Sequence, residues 1–203
     1  MAIAINGTGT VTGISVGGLP DGIVDTEMLA ADAVTVAKAA DSVKGIQEFD
    51  QWYLNTNVTS NSNLTAFTRS SDTWTGAAAK IGTGMSLASE KWTFPSTGKW
   101  LVVCCAQFDC NNSDNVIVYT QVSLNDGTSY GNYGCAMDGN NDSGGGSRTG
   151  SATAWSFIDV TDTANVKVKF YGDSIGSGSA IRGTATAGDG MQTHINFIRL
   201  GGT

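Results

Sequence analysis

The second half of the chain alternates apolar and polar positions. Val116, Val118, Thr120, Val122 and Leu124 interleave with Ile117, Tyr119, Gln121 and Ser123, and Val166, Val168 and Phe170 interleave with Lys167, Lys169 and Tyr171. A period of two puts one set on a core and the other toward water, which predicts half-buried antiparallel strands. Thr153, Trp155 and Phe157 likewise face opposite Ala154, Ser156 and Ile158, and a closing run from Thr193 to Leu200 sets Ile195 and Phe197 against His194, Asn196 and Ile198. From Trp100 to Phe108 almost every position is apolar, which predicts a strand covered on both faces. Turn residues cluster between these runs, at Asn111 to Asn115, Asn125-Asp126-Gly127, Gly139 to Gly146 and Gly172 to Gly178. Strands at this spacing, with no convincing helix among them, predict an all-β antiparallel sandwich.

The first quarter is patterned differently. Ile3, Ile5, Val11, Ile14 and Val16 alternate with small polar residues and glycine, as in an extended arm able to join another protein's sheet edge. The decapeptide Val24 to Ala33 is echoed by Val34 to Val43, with Val24 matching Val34 and Ala30 matching Ala40. The segment fits an intertwined repeat and an amphipathic helix from about Asp25 to Val43 equally well, and either leaves apolar surface that needs a partner. All five tryptophans follow residue 47, and aromatic burial dominates core energetics. The expected division is therefore 1–47, an attachment and trimerisation segment, and 48–203, the head.

Composition narrows the function. Lys and Arg number 11 against 18 Asp and Glu, a net charge of −7, and only 14% of residues are charged. So acidic and charge-poor a surface argues against a nucleic-acid partner. No apolar run approaches the ~20 residues of a membrane helix, so no membrane insertion is expected, and Met1 to Thr12 lack the basic and apolar regions of a signal peptide. The 27 glycines fall irregularly, which excludes a collagen repeat.

Enzymatic and metal chemistry find little support. Gly13-Ile14-Ser15-Val16-Gly17 matches a nucleophile elbow and His194 follows it, but Gly17-Gly18-Leu19-Pro20 cannot begin the helix an elbow requires. Asp138, Asn140 and Asp142 are spaced like the first ligands of a calcium loop, yet Ser143 and Thr149 stand where Gly and Glu belong. The Gly-x-Gly pairs at Gly82-Gly84 and Gly176-Gly178 read as turns. Cys104 and Cys105 are adjacent and point to opposite faces; with Cys110 and Cys135 they fit reduced, mostly buried thiols, the alternative being one bridge between neighbouring strands. No cofactor is expected. The better binding candidates are loop residues: Tyr130 and Tyr133, flanking Gly131-Asn132 read as a turn, and the amides of Asn111, Asn112, Asn140 and Asn141, which suit sugar hydroxyls. Trp155 and Phe157 on one face with Ile158 on the other make a strand apolar on both sides, and a neighbouring subunit is the simplest second cover.

Specific motifs add a resemblance. Trp92-Thr93-Phe94-Pro95-Ser96-Thr97-Gly98-Lys99-Trp100-Leu101-Val102 resembles the F-P-x-x-G-x-Y-x-V strand–turn–strand of the complement globular-head and tumour-necrosis-factor jelly-roll superfamily, with Trp100 where Tyr is usual. Ile195 to Gly201 looks like its closing strand, and Gly82-x-Gly84-Met85 fits versions found in bacteriophage virion proteins. Ala33-Val34-Thr35-Val36-Ala37-Lys38-Ala39-Ala40-Asp41 resembles the repeats of phage fibre shafts. The resemblance implies a C-terminal jelly-roll β-sandwich head and a homotrimer joined to other virion proteins of capsid or tail through its N-terminal segment. A non-enzymatic fibre, spike or decoration protein is thus expected, made in the host cytoplasm and carried on the virion with its head exposed, in contact with host surface glycan. The alternatives are capsid cement with no host ligand and, with the weak support given above, a surface hydrolase.

Overall fold

The alternating runs become strands, and they pair across long sequence separations. The structure, a computed structural model, describes residues 45–70, 80–141, 144–184 and 190–203. The arm residues Ile3, Ile5, Val11, Ile14 and Val16, the decapeptide echo and Ser15 lie outside the described residues. In chain order the strands are β1 (Phe49–Leu54), β2 (Ser62–Asn63), β3 (Phe67–Arg69), β4 (Lys80–Ile81), β5 (Ser86–Ala88), β6 (Lys91–Thr93), β7 (Gly98–Asn111), β8 (Asn115–Ser123), β9 (Gly131–Gly139), β10 (Ser147–Val160), β11 (Lys167–Asp173), β12 (Ala180–Ile181) and β13 (His194–Gly201). One sheet runs β10-β7-β13-β1-β3, with β12 added to β7 and β4 to β1; the other runs β5-β6-β11-β8-β9, with β2 added to β11. All pairings are antiparallel, and the described residues contain no helix. This is the expected jelly-roll sandwich.

The facing sides of the two sheets make the core. Trp92, fully buried, is its hub: its ring lies 4.7 Å from Trp52, 5.4 Å from Phe67, 6.3 Å from Phe170 and 5.1 Å from Phe197, centroid to centroid. The segment before β7 shows why its residue types are needed. Phe94 and Trp100 pack against each other in the core, and the Trp100 indole N–H reaches the Ser96 carbonyl at 3.2 Å. Gly98 has φ +137°, and a Cβ there would lie 2.3 Å from the Gly201 carbonyl oxygen, so no side chain fits between β7 and the end of β13.

The Gly82-Thr83-Gly84-Met85 turn is a latch onto β1. Met85 N–H donates to the Asp50 carboxylate at 2.7 Å and Gly84 N–H to the Glu48 carboxylate at 3.1 Å. Asp50 is 1% exposed and also accepts from Trp52 Nε1 at 2.8 Å and from Nε and Nη2 of Arg69, at 2.9 and 3.1 Å. Four donors on one buried carboxylate tie β1, β3 and the turn together. Asp50→Asn keeps the shape but turns an acceptor into a donor facing donors. It is expected to lower the unfolding free energy by about 1.5–3 kcal/mol, the worth of a hydrogen bond to a charged group, in urea titration.

Two sequence expectations are corrected. Gly131-Asn132 is not a turn; both begin β9. The reversal lies at residues 124–130, where Ser123 Oγ accepts the N–H groups of Asn125 and Gly127, Asn125 Oδ1 accepts the N–H of Ser129, and Asp126 and Gly127 take φ +53° and +84°. These side-chain brackets, together with the left-handed Asp126 and Gly127 rather than Gly131, set the turn within the Asn125-Asp126-Gly127 cluster. The run from Trp100 to Phe108 is also not sealed on both faces. Val102, Cys104, Ala106 and Phe108 are buried, whereas on the other face Val103 is buried but Leu101, Cys105 and Gln107 are only half-buried.

Candidate functional site

The outer face of the seven-stranded sheet is built in registered rows, because residues directly opposite on paired strands share a face. One row runs Ile81–Phe49–Ile198–Leu101–Phe157 across five strands, apolar at every position. At ~4.8 Å between strands it spans about 19 Å. The next row is Gln51–Asn196–Val103–Trp155, with Gln51 Nε2 donating to Asn196 Oδ1 at 2.7 Å. The third is Thr68–Tyr53–His194–Cys105–Thr153. The face thus grades from apolar to polar along its strands. Trp155 is 66% exposed and Phe157 58% exposed, while Ala154, Ser156 and Ile158, which alternate with them on β10, are buried. Two large bare aromatic side chains beside an apolar row form the kind of patch that marks an interaction surface.

Three tyrosines, Tyr119, Tyr133 and Tyr171, lie on the opposite side of the molecule. Tyr171 on β11, Tyr119 on β8 and Cys135 on β9 lie side by side across the outer face of the six-stranded sheet. A register shift between Thr120 and Gln121 leaves Tyr133 as the unpaired residue of a β-bulge, 59% exposed. Tyr119, Asn132, Tyr133, Gly134 and Cys135 line a shallow cleft of about 130 Å3. Tyr119 and Asn132 are not singled out by sequence; the one signal is Tyr119's place on the polar side of an alternating strand.

Tyr130 stands apart, in a concavity of about 290 Å3 shared with Glu90, Lys91, Asp126 and Lys169. Its groups are engaged with one another. Lys169 Nζ sits 4.3 Å over the Tyr130 ring, Lys91 pairs with Asp126 at 2.8 Å, and Glu90 accepts from Asn63. The hydrogen bond and charge of Lys91 hold the Asp126 carboxyl below the usual range, and burial raises the Tyr130 phenol.

The asparagines occupy the far end of β7. Asn111 and Asn112 border a polar cleft of about 290 Å3 with Asp114 and Ser177; Asn111 Nδ2 donates to the Ser177 carbonyl at 3.3 Å, and Asp114 accepts from Gly176 N–H at 2.8 Å. Asn140 is buried, and its amide donates to the Cys110 and Gly146 carbonyls, clamping the β9–β10 connection to β7. Asn141 is exposed and Asp142 lies outside the described residues. Asp138 accepts from Gly139 N–H and faces Arg148 at 3.7 Å. Among the described residues no three His, Cys, Asp or Glu are grouped to hold a metal ion. His194 stands on the sheet face, and its buried Nδ1 has no hydrogen-bond partner among the described residues. All four cysteines are free: burial, reinforced by Cys105, pushes the Cys104 thiol far above its ordinary range, and Cys135 is exposed rather than buried.

No protein-family profile and no curated protein matches the sequence. Solved structures do share the fold. The Eiger TNF of S. frugiperda is similar with a TM-score of 0.58 at 11% identity, over 79% of this chain and 96% of that one. Murine APRIL at pH 5.0 is similar with a TM-score of 0.51 at 8% identity, over 75% of this chain and 98% of that one. At such identities the likeness establishes a TNF-like jelly roll.

Proposed function

We propose that this chain is a non-enzymatic phage virion protein, a trimeric fibre, spike or capsid-decoration subunit that displays its jelly-roll head to the host surface. The observation that carries the reading is the apolar row Ile81–Phe49–Ile198–Leu101–Phe157 with Trp155 beside it. A face of this kind is the cross-section of a core, and a closed ring of three copies covers it in every subunit. The motif resemblances in 33–41 and 92–102 support the virion role, and the TNF-like fold supports a head that assembles by its sheet faces. With the seven-stranded faces turned inward, the tyrosine-bearing sheet is left outward for contact with glycan. Three heads on one particle then add weak contacts by avidity.

Two measurements test this. Sedimentation of the full chain is expected to give three times the chain mass, and an antibody against the head is expected to decorate intact particles of the encoding phage in electron micrographs. A stable monomer contradicts the assembly; unlabelled particles contradict the virion role. Labelled capsids that show no affinity for host cells fit the cement role instead.

A further inference from the structure

We infer that the cleft between Tyr119 and Tyr133 is a binding site for a neutral sugar, one ring of a host-surface oligosaccharide. The inference deepens the display reading, on which its host source rests, but the site itself is a property of one chain.

The starting point is what is left unpaired. Gln121 Nε2 donates to Asn132 Oδ1 at 2.8 Å, which fixes both amides side by side. Among the described residues this leaves the Asn132 NH2, the Gln121 carbonyl and the phenols of Tyr119 and Tyr133 with no protein partner. The Asn132 amide and the two tyrosines border a cleft of about 130 Å3 completed by Gly134 and Cys135, with Gln121 behind Asn132, so donors and acceptors stand beside aromatic surface. A sugar ring presents the matching surface: an apolar C–H face for a tyrosine ring and neighbouring hydroxyls that each donate and accept.

The charge pattern selects the class of sugar. No ionisable carboxylate or ammonium lines this cleft, whereas the Tyr130 concavity holds two lysines and two carboxylates already engaged locally. The chain carries −7 overall, so a polyanionic glycan is repelled and meets no cation in the cleft. The geometry is also specific. The bulge opposite Thr120 and Gln121 turns Tyr133 out of the strand's alternation, and bulges recur where a side chain is re-aimed beside a site. Behind it, Gly134 carries no side chain, and a Cβ there would lie 2.4 Å from Ser156 Oγ, so the cleft floor is fixed by the core.

The test uses the full chain and a panel of tetrasaccharides of glucose, galactose, mannose and N-acetylglucosamine, with tetragalacturonate as the acidic member. Saturation-transfer NMR is expected to show at least one neutral member binding with saturation. Tyr133→Ala and Asn132→Ala should each weaken that binding at least about tenfold, with the thermal transition unchanged because both side chains are exposed. Tyr130→Ala should leave it unchanged. No binding by any neutral member, preference for tetragalacturonate, or full binding by Tyr133→Ala overturns the inference. Sedimentation of the same samples separates the two readings: a trimer that binds nothing removes only the site, and a monomer that binds removes only the assembly.

Discussion

Trp155→Glu with Phe157→Glu is expected to convert the proposed trimer to folded monomers. Burying either ring is worth about 1.5–3 kcal/mol, and two per subunit across three subunits amounts to about 9–18 kcal/mol per trimer. The introduced carboxylates add a desolvation cost to any residual contact. Folding itself should survive, because Ala154, Ser156, Ile158 and Val160 on the other face of β10 remain in the core. Sedimentation at micromolar concentration reads the first effect and the strand signal in circular dichroism reads the second. Cys105 supplies an independent reporter. It lies half-buried in the third row of the same face, between His194 and Thr153, so a maleimide should reach it slowly in the trimer and faster in the double variant. A double variant that stays trimeric would move the interface elsewhere.

Trp92→Ala should be the most damaging single truncation of the core. Its ring meets Trp52, Phe67, Phe170 and Phe197, so removal empties the place where β1, β3, β11 and β13 converge. Large aromatic-to-alanine changes in cores cost about 3–5 kcal/mol, against a total of about 5–15 kcal/mol for an ordinary domain. Urea titration is expected to show the unfolding free energy falling by that amount with the slope retained. Because Trp92 Nε1 has no partner among the described residues, Trp92→Phe should recover most of the loss. A small loss for alanine would mean that neighbouring rings close over the gap.

The alternation of residues is enough to read β8, β10, β11 and β13 from the amino-acid sequence, since a period of two is a local property. The Trp92 to Val102 motif is legible by resemblance, and the structure supplies its reason in the Phe94–Trp100 contact and the close approach of Gly98 to the Gly201 carbonyl. What local pattern cannot carry is register. The row from Ile81 to Phe157 joins distant parts of the chain through four separate ladders, and nothing in any one strand announces its neighbours. The same holds for Tyr119 and Tyr133, which meet only because β8 and β9 slip by one position. Tyr130 and Tyr133 read alike in sequence, yet the bracket at Ser123 and Asn125 shifts the turn and sends them to different clefts. Asn140 resembles a loop residue in sequence because buried amides that clamp carbonyls have the same composition as solvated ones.

Strand β10 ends its sheet: it pairs with β7 through all fourteen of its positions, and among the described residues no strand pairs along its other side. A subunit not yet joined to its partners therefore carries a long hydrogen-bonding border next to two uncovered rings, the combination that lets chains zip edge to edge into aggregates. In the trimer proposed above, the vulnerable moment is the interval between completing the sandwich and meeting two further copies. Dilute, slow or unbalanced synthesis would lengthen that interval, and losses would appear as insoluble material rather than as soluble unfolded chain.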